Sequence, residues 1–341
     1  MKKAVITFLL VGVLSGGAFA QVTFSGSAYA GIRIQSPQSG DETITTTHRE
    51  EALAPLFNLT VQAVRGNYGA RLDTTFLMPD EFDDNEHFMR LNGIYGWVDF
   101  LDNSLRLTMG QISSAAWVLP RFHSSHSELY FDDVRGFRIV YNTPLDGLSV
   151  GAAFRAEGYG AEELGQRAIF GATFVHLRFS AVLAHDLGNN TRTLFGFNYT
   201  GIPDLTAGFQ FSAFNLSTWD DAPRPAGELG FRQIVGYRVA RQVSVYLISS
   251  QTIFDASGSD VALEFIPVVE YRFMPNLIGS FSTIIDSPDH FSTTNLTLNP
   301  MLEKMLAGPA LFYVEYALTL PDMNMSRAVH TFGFGITVRA F

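Results

Sequence analysis

Seven arginines, Arg71, Arg106, Arg138, Arg155, Arg178, Arg232 and Arg238, fall at alternate positions shared with small polar residues, as in Gly69-Arg71-Asp73-Thr75 and Ser104-Arg106-Thr108-Gly110. A guanidinium keeps its charge in any surroundings and presents a planar fork of donors. A row of them therefore supplies a fixed field and a grip on anionic groups, not bond-making chemistry. Acids share that parity at Asp73, Glu157 and Glu270. Two expectations follow: the arginines line a charged aqueous surface, or they pair with those acids and merely stiffen a wall.

Reactive chemistry has less support. His123 and His126 stand three apart with Glu128 nearby, a metal set if the segment were helical and otherwise two loop histidines among eight. Ser, His and Asp abound in the loops, but no nucleophile elbow of the G-x-S-x-G kind is read in the chain, so no enzyme is expected. The chain has no cysteine, which excludes disulfides, thiolate metal sites and lipoprotein processing. No cofactor and no metal are implied.

The elements that must position the arginines are strands. Apolar residues make up 47% of the chain and the mean hydropathy is +0.12, values an ordinary globular protein would share. Beyond the first twenty residues, however, there is no apolar run of the ~20 residues that a membrane helix needs. Short alternating segments separated by turn residues are instead the pattern of a membrane barrel. The first carries Val22, Phe24, Ala28, Ile32 and Ile34 on one face and Ser25, Ser27, Tyr29 and Arg33 on the other. Short connections are expected at Arg65-Gly66-Asn67, Leu101-Asp102-Asn103, 143–147, Val175-His176, 201–204, Ala240-Arg241, 274–276 and 307–309. Longer polar stretches lie between them at 36–54, 78–91, 113–133, 158–166, 186–191, 214–227, 253–260, 286–292 and 320–327.

Alternation of short turns on one rim with long loops on the other places the turns in the periplasm and the loops outside the cell. The strand count turns on residues 287–309. The run Asn299-Pro-Met-Leu-Glu parallels Ile266-Pro-Val-Val-Glu, a strand leading into a tight turn. Counting it gives an all-β, antiparallel transmembrane barrel of 18 strands, with 16 as the alternative. Inward side chains that small cannot fill so wide a barrel, which should hold an aqueous channel.

At the N-terminus, Lys2 and Lys3 precede an apolar run from Ala4 to Leu14 and a small-residue site, Ala18-Phe19-Ala20. Residues 1–20 are expected to be a cleaved export signal, too short to span a bilayer. Residues 21–341 then form one barrel domain. Loss of two lysines moves the formal charge from −10 to −12, which argues against a nucleic-acid partner. Of the 23 basic residues 20 are arginine, and Lys304 is the one lysine left after cleavage.

The signal, the barrel pattern, the loop lengths and the terminal Phe341 together resemble the outer-membrane porins of Gram-negative bacteria, over the whole mature length. One departure concerns the end of the chain. Phe332, Phe334, Ile336 and Val338 are out of phase with Phe341, so either a bulge lies near Arg339-Ala340 or the assembly signal is degenerate. The third long loop, 113–133, carries Trp117, Phe122, Tyr130 and Phe131, too many aromatics for a solvated excursion. In porins the corresponding loop folds into the lumen. By that resemblance Trp117, Arg121, Glu128, Asp132 and Asp133 belong to a constriction, with the three acids facing the arginine wall.

The implied function is passive diffusion of small hydrophilic solutes and ions in the outer membrane. The implied partners are those solutes, outer-membrane lipids and the barrel-assembly machinery, with homotrimeric assembly through walls where outward glycines such as Gly196 and Gly279 allow close approach. A competing reading is a surface barrel acting as adhesin or receptor through its loops. Acidic loops at 41–51 and 80–86 favour cations and an arginine wall favours anions. Trp97, Trp117, Tyr130 and Trp219 either form a stacking track for sugars or sit as girdle aromatics and loop anchors.

Overall fold

The structure, a computed structural model, describes residues 21–38, 40, 42–47, 56–77, 89–112, 117, 134–156, 168–187, 191–214, 228–254, 261–287, 293–306 and 310–340. Among these the period-two segments are all strands. The first five are β1 (Gln21–Pro37), β2 (Thr43–Thr47), β3 (Leu56–Arg65), β4 (Tyr68–Leu77) and β5 (Met89–Phe100). The next seven are β6 (Leu105–Ile112), β7 (Val134–Asn142), β8 (Leu148–Arg155), β9 (Ala168–His176), β10 (Phe179–Asp186), β11 (Arg192–Tyr199) and β12 (Leu205–Phe214). The chain continues through β13 (Glu228–Ala240), β14 (Val243–Ile253), β15 (Val261–Met274), β16 (Leu277–Ser287), β17 (Asn295–Met305), β18 (Ala310–Leu320) and β19 (Val329–Ala340). Two 3₁₀ turns, Pro321–Met323 and Met325–Arg327, cap the loop before β19.

From β3 to β19 each strand pairs antiparallel with the next in sequence, and β1 closes the ring against β19 from Gly26↔Ala340 to Pro37↔Val329. The other edge of β1 is shared. Its lower half, Gln21 to Tyr29, pairs with β3, and its upper part, Gly31 to Gln35, pairs with β2. The segments β2 and β3 thus occupy one wall position, so 19 segments make a closed barrel of 18 strands. The decisive strand of the count is β17, which lies inside the ambiguous 287–309 region.

Alternation sets the two faces. On β19, Thr331, Gly333, Gly335 and Thr337 are buried toward the inside, while Phe332 and Ile336 are exposed outside. Tyr68, Tyr141, Tyr199, Tyr237 and Tyr271 all point outward close to the short-turn rim. Such a row of amphipathic rings marks a membrane–water interface, where the ring meets lipid and the hydroxyl meets water.

Several expectations need correction. The hairpin placed at Val175-His176 turns two residues later, at Leu177 and Arg178. The stretch 36–54 contains β2, and β5 already starts at Met89, within 78–91. Pairing of β1 with β19 runs through Ser27↔Arg339 and Gly26↔Ala340 in unbroken register, so no bulge restores the phase of the last strand. Phe341 itself lies outside the described residues.

Two prolines sit in mid-strand on the outer face. Pro267 pairs with Leu247 of β14, but on its other side the pairing of β15 with β16 lapses between Phe265 and Val268. Pro300 pairs with Phe281 of β16, and there the pairing of β17 with β18 lapses between Leu298 and Met301. Proline has no N–H to give to the ladder, so one bond is missing at each site.

Leu177 carries a φ of +49° at the tip of its turn, a left-handed conformation that costs a branched residue about 1–2 kcal/mol. Leu177→Gly should stabilise the barrel by about 1 kcal/mol, read as a higher urea midpoint for the refolded protein. A lower midpoint would mean that the exposed leucine packs against something in the folded state.

Candidate functional site

Register assigns Arg71, Arg106, Arg138, Arg155, Arg232 and Arg238 to the inner face, as their parity requires. Three have carboxylate partners on that same face. Arg71 Nε donates to Asp73 Oδ2 at 2.8 Å, and Thr60 Oγ1 donates to Asp73 Oδ1 at 2.6 Å. Arg106 grips Asp99 with both forks, Nε to Oδ1 at 2.6 Å and Nη2 to Oδ2 at 2.8 Å. Arg155 Nη1 meets Asp186 Oδ2 at 2.6 Å across two strands. Arg138 differs: among the described residues it has no carboxylate partner, and its Nε is buried without an acceptor. It stands between Thr108 and Ala153, inside an arc of guanidiniums.

Arg178 is placed elsewhere. It lies in the β9–β10 turn at the short-turn rim, where Nη1 donates to the Gly201 carbonyl at 3.3 Å. Arg238, near the same rim, reaches Asp204 at 3.4 Å. Both border a cavity of about 430 Å³ with Thr206, Ser244 and Tyr246. They fasten the 201–204 turn more than they line a mid-wall passage.

Further charged residues share the inner face. Arg33 extends the basic arc to β1, and Arg192 fills it between Arg155 and Arg232. More important is the opposite arc, β15 to β18, whose inner face carries Glu264, Glu270, Asp286, Glu303 and Glu315. On that arc the base among the described residues is Arg272, at its rim. Glu264 and Asp286 are direct cross-strand neighbours, held by Ser250 at 3.2 Å and Asn295 at 2.9 Å. Acids that face the arginine arc thus come from the barrel wall. Glu128, Asp132, Asp133 and Arg121, expected to supply the constriction, lie outside the described residues, as do Glu157, His123 and His126.

Inward aromatics are laid flat on glycines. The Trp97 ring covers Gly69, its cross-strand partner, and Arg106 sits over the other side at 5.4 Å from the ring centroid. Tyr246 covers Gly236 and the Tyr313 hydroxyl lies over Gly335. A Cβ at any of these glycines would collide with the ring, so the glycine is what lets a large ring lie along the wall instead of across the opening. Trp117 follows the same rule from the third loop: its ring covers Gly171 on the inner face of β9. It closes an apolar cluster with Val134, Ala153, Ile169, Val182, Ala184 and Leu194. Trp97 and Trp117 are therefore inner-face residues, not girdle aromatics, whereas Tyr130 and Trp219 lie outside the described residues.

Two further readings are corrected. Gly196 faces inward between Val182 and Gln210, so it offers no outer surface for assembly, while Gly279 does face outward. Gly147-Leu-Ser-Val-Gly151 has the spacing of a serine-hydrolase elbow, but it forms a β-hairpin turn and not a strand-to-helix turn. Ser149 donates to Asn142 at 2.7 Å on the inner face. The nearby His176–Asp146 contact at 3.4 Å involves a histidine of the opposite parity. No triad is assembled there.

No protein-family model matches the chain, and no curated protein does. Solved structures do match in shape. OccAB3 of Acinetobacter baumannii aligns with a TM-score of 0.62 over 93% of this chain and 98% of its own, at 12% identity. OccK11 (OpdR) of Pseudomonas aeruginosa gives 0.60 over 94% and 96%, at 10% identity. The outer membrane channel DcaP of Acinetobacter baumannii gives 0.55 over 95% and 98%, at 11% identity. The fold is that of Gram-negative outer-membrane channels. At these identities the likeness is of architecture, and the side chains of the inner face belong to this chain's own argument.

The Arg155–Asp186 pair offers a direct check, because the Asp186 side chain is only 7% exposed. Asp186→Asn should cost about 1–3 kcal/mol of barrel stability by leaving a part-buried guanidinium uncompensated, measured by urea unfolding. Arg155→Gln in the same chain should recover part of that loss. No recovery would mean that the two residues are not coupled.

Proposed function

We propose that the chain is an outer-membrane porin that lets small hydrophilic solutes and ions diffuse passively through its barrel. The observation that carries this reading is the inner face itself: a closed 18-strand ring with arginines along one arc and carboxylates along the other. A pore of that kind sets a transverse field that orients dipolar solutes while small ions pass. Docking of Trp117 on Gly171 supports an inward course for the third loop, which would narrow the passage beside Arg138 and Arg155. Residues 1–20 serve as the export signal, and the tyrosine row supports residence in a bilayer. The shared fold with an outer membrane channel, DcaP, supports the same assignment.

Single-channel recording of the refolded mature protein tests this. Discrete conductance steps are expected, and deletion of residues 118–132 should enlarge them. A folded protein that stays silent would move the assignment to a surface adhesin or receptor acting through its loops.

Selectivity separates the two arcs. Glu264→Gln with Asp286→Asn should shift the reversal potential under a salt gradient toward anions, and Arg138→Gln should shift it toward cations. Identical shifts from both variants would show that the two arcs do not share one passage.

A further inference from the structure

Two adjoining cavities lie on the inner face at the short-turn rim of β12 to β15. The smaller, about 60 Å³, is lined by Arg238, Arg241, Gln242, Ser244, Glu270 and Arg272, and has room for roughly two waters. The larger, about 430 Å³, shares Arg238, Ser244 and Tyr246 with it and extends to the 201–204 turn. That volume is within the range of small-molecule sites.

Register brings the charges together. Arg238 pairs across with Ser244, Ser244 with Glu270, and Arg272 follows two residues on along the same face. Arg241 joins them from the β13–β14 turn. Glu270, the carboxylate of the smaller cavity, is bonded by the Tyr246 hydroxyl, and Asp204, on the larger one, stands 3.4 Å from Arg238. Among the described residues neither Arg241 nor Arg272 has an ion-pair partner. Three guanidiniums against one carboxylate leave two positive charges around the smaller cavity. Counting Arg178 and Asp204 as well, both cavities together again leave two. Like charges gathered around so small a space repel, and an anion between them removes that cost.

We infer that the two cavities form one site for a phosphate monoester, with the phosphoryl head in the smaller and the rest of the solute in the larger. A monoester carries about −1.5 to −2 charges at pH 7 and three acceptor oxygens, which matches the two uncompensated charges and the three guanidinium forks. A carboxylate brings one charge and two oxygens, which a single fork satisfies. Ser244 and Gln242 add uncharged donors beside the head. In the larger cavity the hydroxyls of Thr200 and Thr206 and the ring of Tyr246 stand beside Ile202 and Leu205, a lining that suits a small hydroxylated body. The inference rests on the reading of the barrel as a solute channel and names a solute class for it.

Calorimetry on the refolded mature protein in detergent at low salt tests this, with glycerol 3-phosphate as the probe. The probe should bind, and glycerate, the same kind of body ending in a carboxylate, should bind at least tenfold more weakly. Arg241→Gln with Arg272→Gln should weaken glycerol 3-phosphate binding tenfold or more. Arg65→Gln with Arg327→Gln, which removes the same charge elsewhere, should leave it within twofold. No binding, equal binding of the two probes, or equal loss in both double variants overturns the site. Phospholipid that stays on the wild-type protein in native mass spectrometry and is lost from the Arg241→Gln, Arg272→Gln variant overturns the soluble ester in favour of a lipid headgroup. A barrel that binds the probe but passes no current would sink the channel reading and leave the site standing, whereas one that conducts without binding sinks the site alone.

Discussion

A sheet that meets lipid must leave no backbone N–H or C=O open, and the pairing of β1 with β19 is where this chain meets that demand. Everything else depends on closure. It obliges every strand to show one face to lipid and one to the inside, and so converts a one-residue alternation along the chain into two chemically distinct surfaces. Most charged residues of the strands turn inward. Even the irregularity at β2 and β3 respects the rule, since two segments in succession cover one edge of β1.

Inside the ring, the competing demands are charge and space. A guanidinium or carboxylate on the inner wall needs water or a partner: Arg71, Arg106 and Arg155 have carboxylate partners, and the arc of acids on β15 to β18 begins two strands from Arg232. Large rings would obstruct the passage if they stood upright. Trp97, Tyr246 and Tyr313 are laid along the wall by a glycine beside each, which keeps their hydrophobic area out of the space the barrel encloses. The same device holds Trp117 at Gly171, so the third loop is anchored by shape to a wall otherwise lined with small apolar residues.

The barrel was largely legible in the sequence, because alternation is a local property and eighteen repeats of it average out local noise. Inner-face membership of Arg71, Arg106, Arg138, Arg155 and Arg232 followed from parity alone. What parity did not convey was height and neighbourhood. Arg178 has the right parity but sits in a turn, and Asp286 reads as the start of a loop until its pairing with Glu264 is known. Gly196 faces inward, against expectation, because a glycine carries no polarity to betray its face. Of the acidic arc parity shows Glu270 alone, because the members are isolated in sequence, one or two per strand, and converge only through cross-strand register.

The prolines at 267 and 300 leave a mark on the mechanics of the wall. Each breaks the ladder on the side away from its intact neighbour, so the hairpin of β16 and β17 is bounded on both flanks by a seam with a missing bond. A ring with two soft seams is not equally stiff around its circumference. The acidic side of the barrel therefore carries both proline breaks, and Asp286 and Glu303 ride on the pair of strands between them.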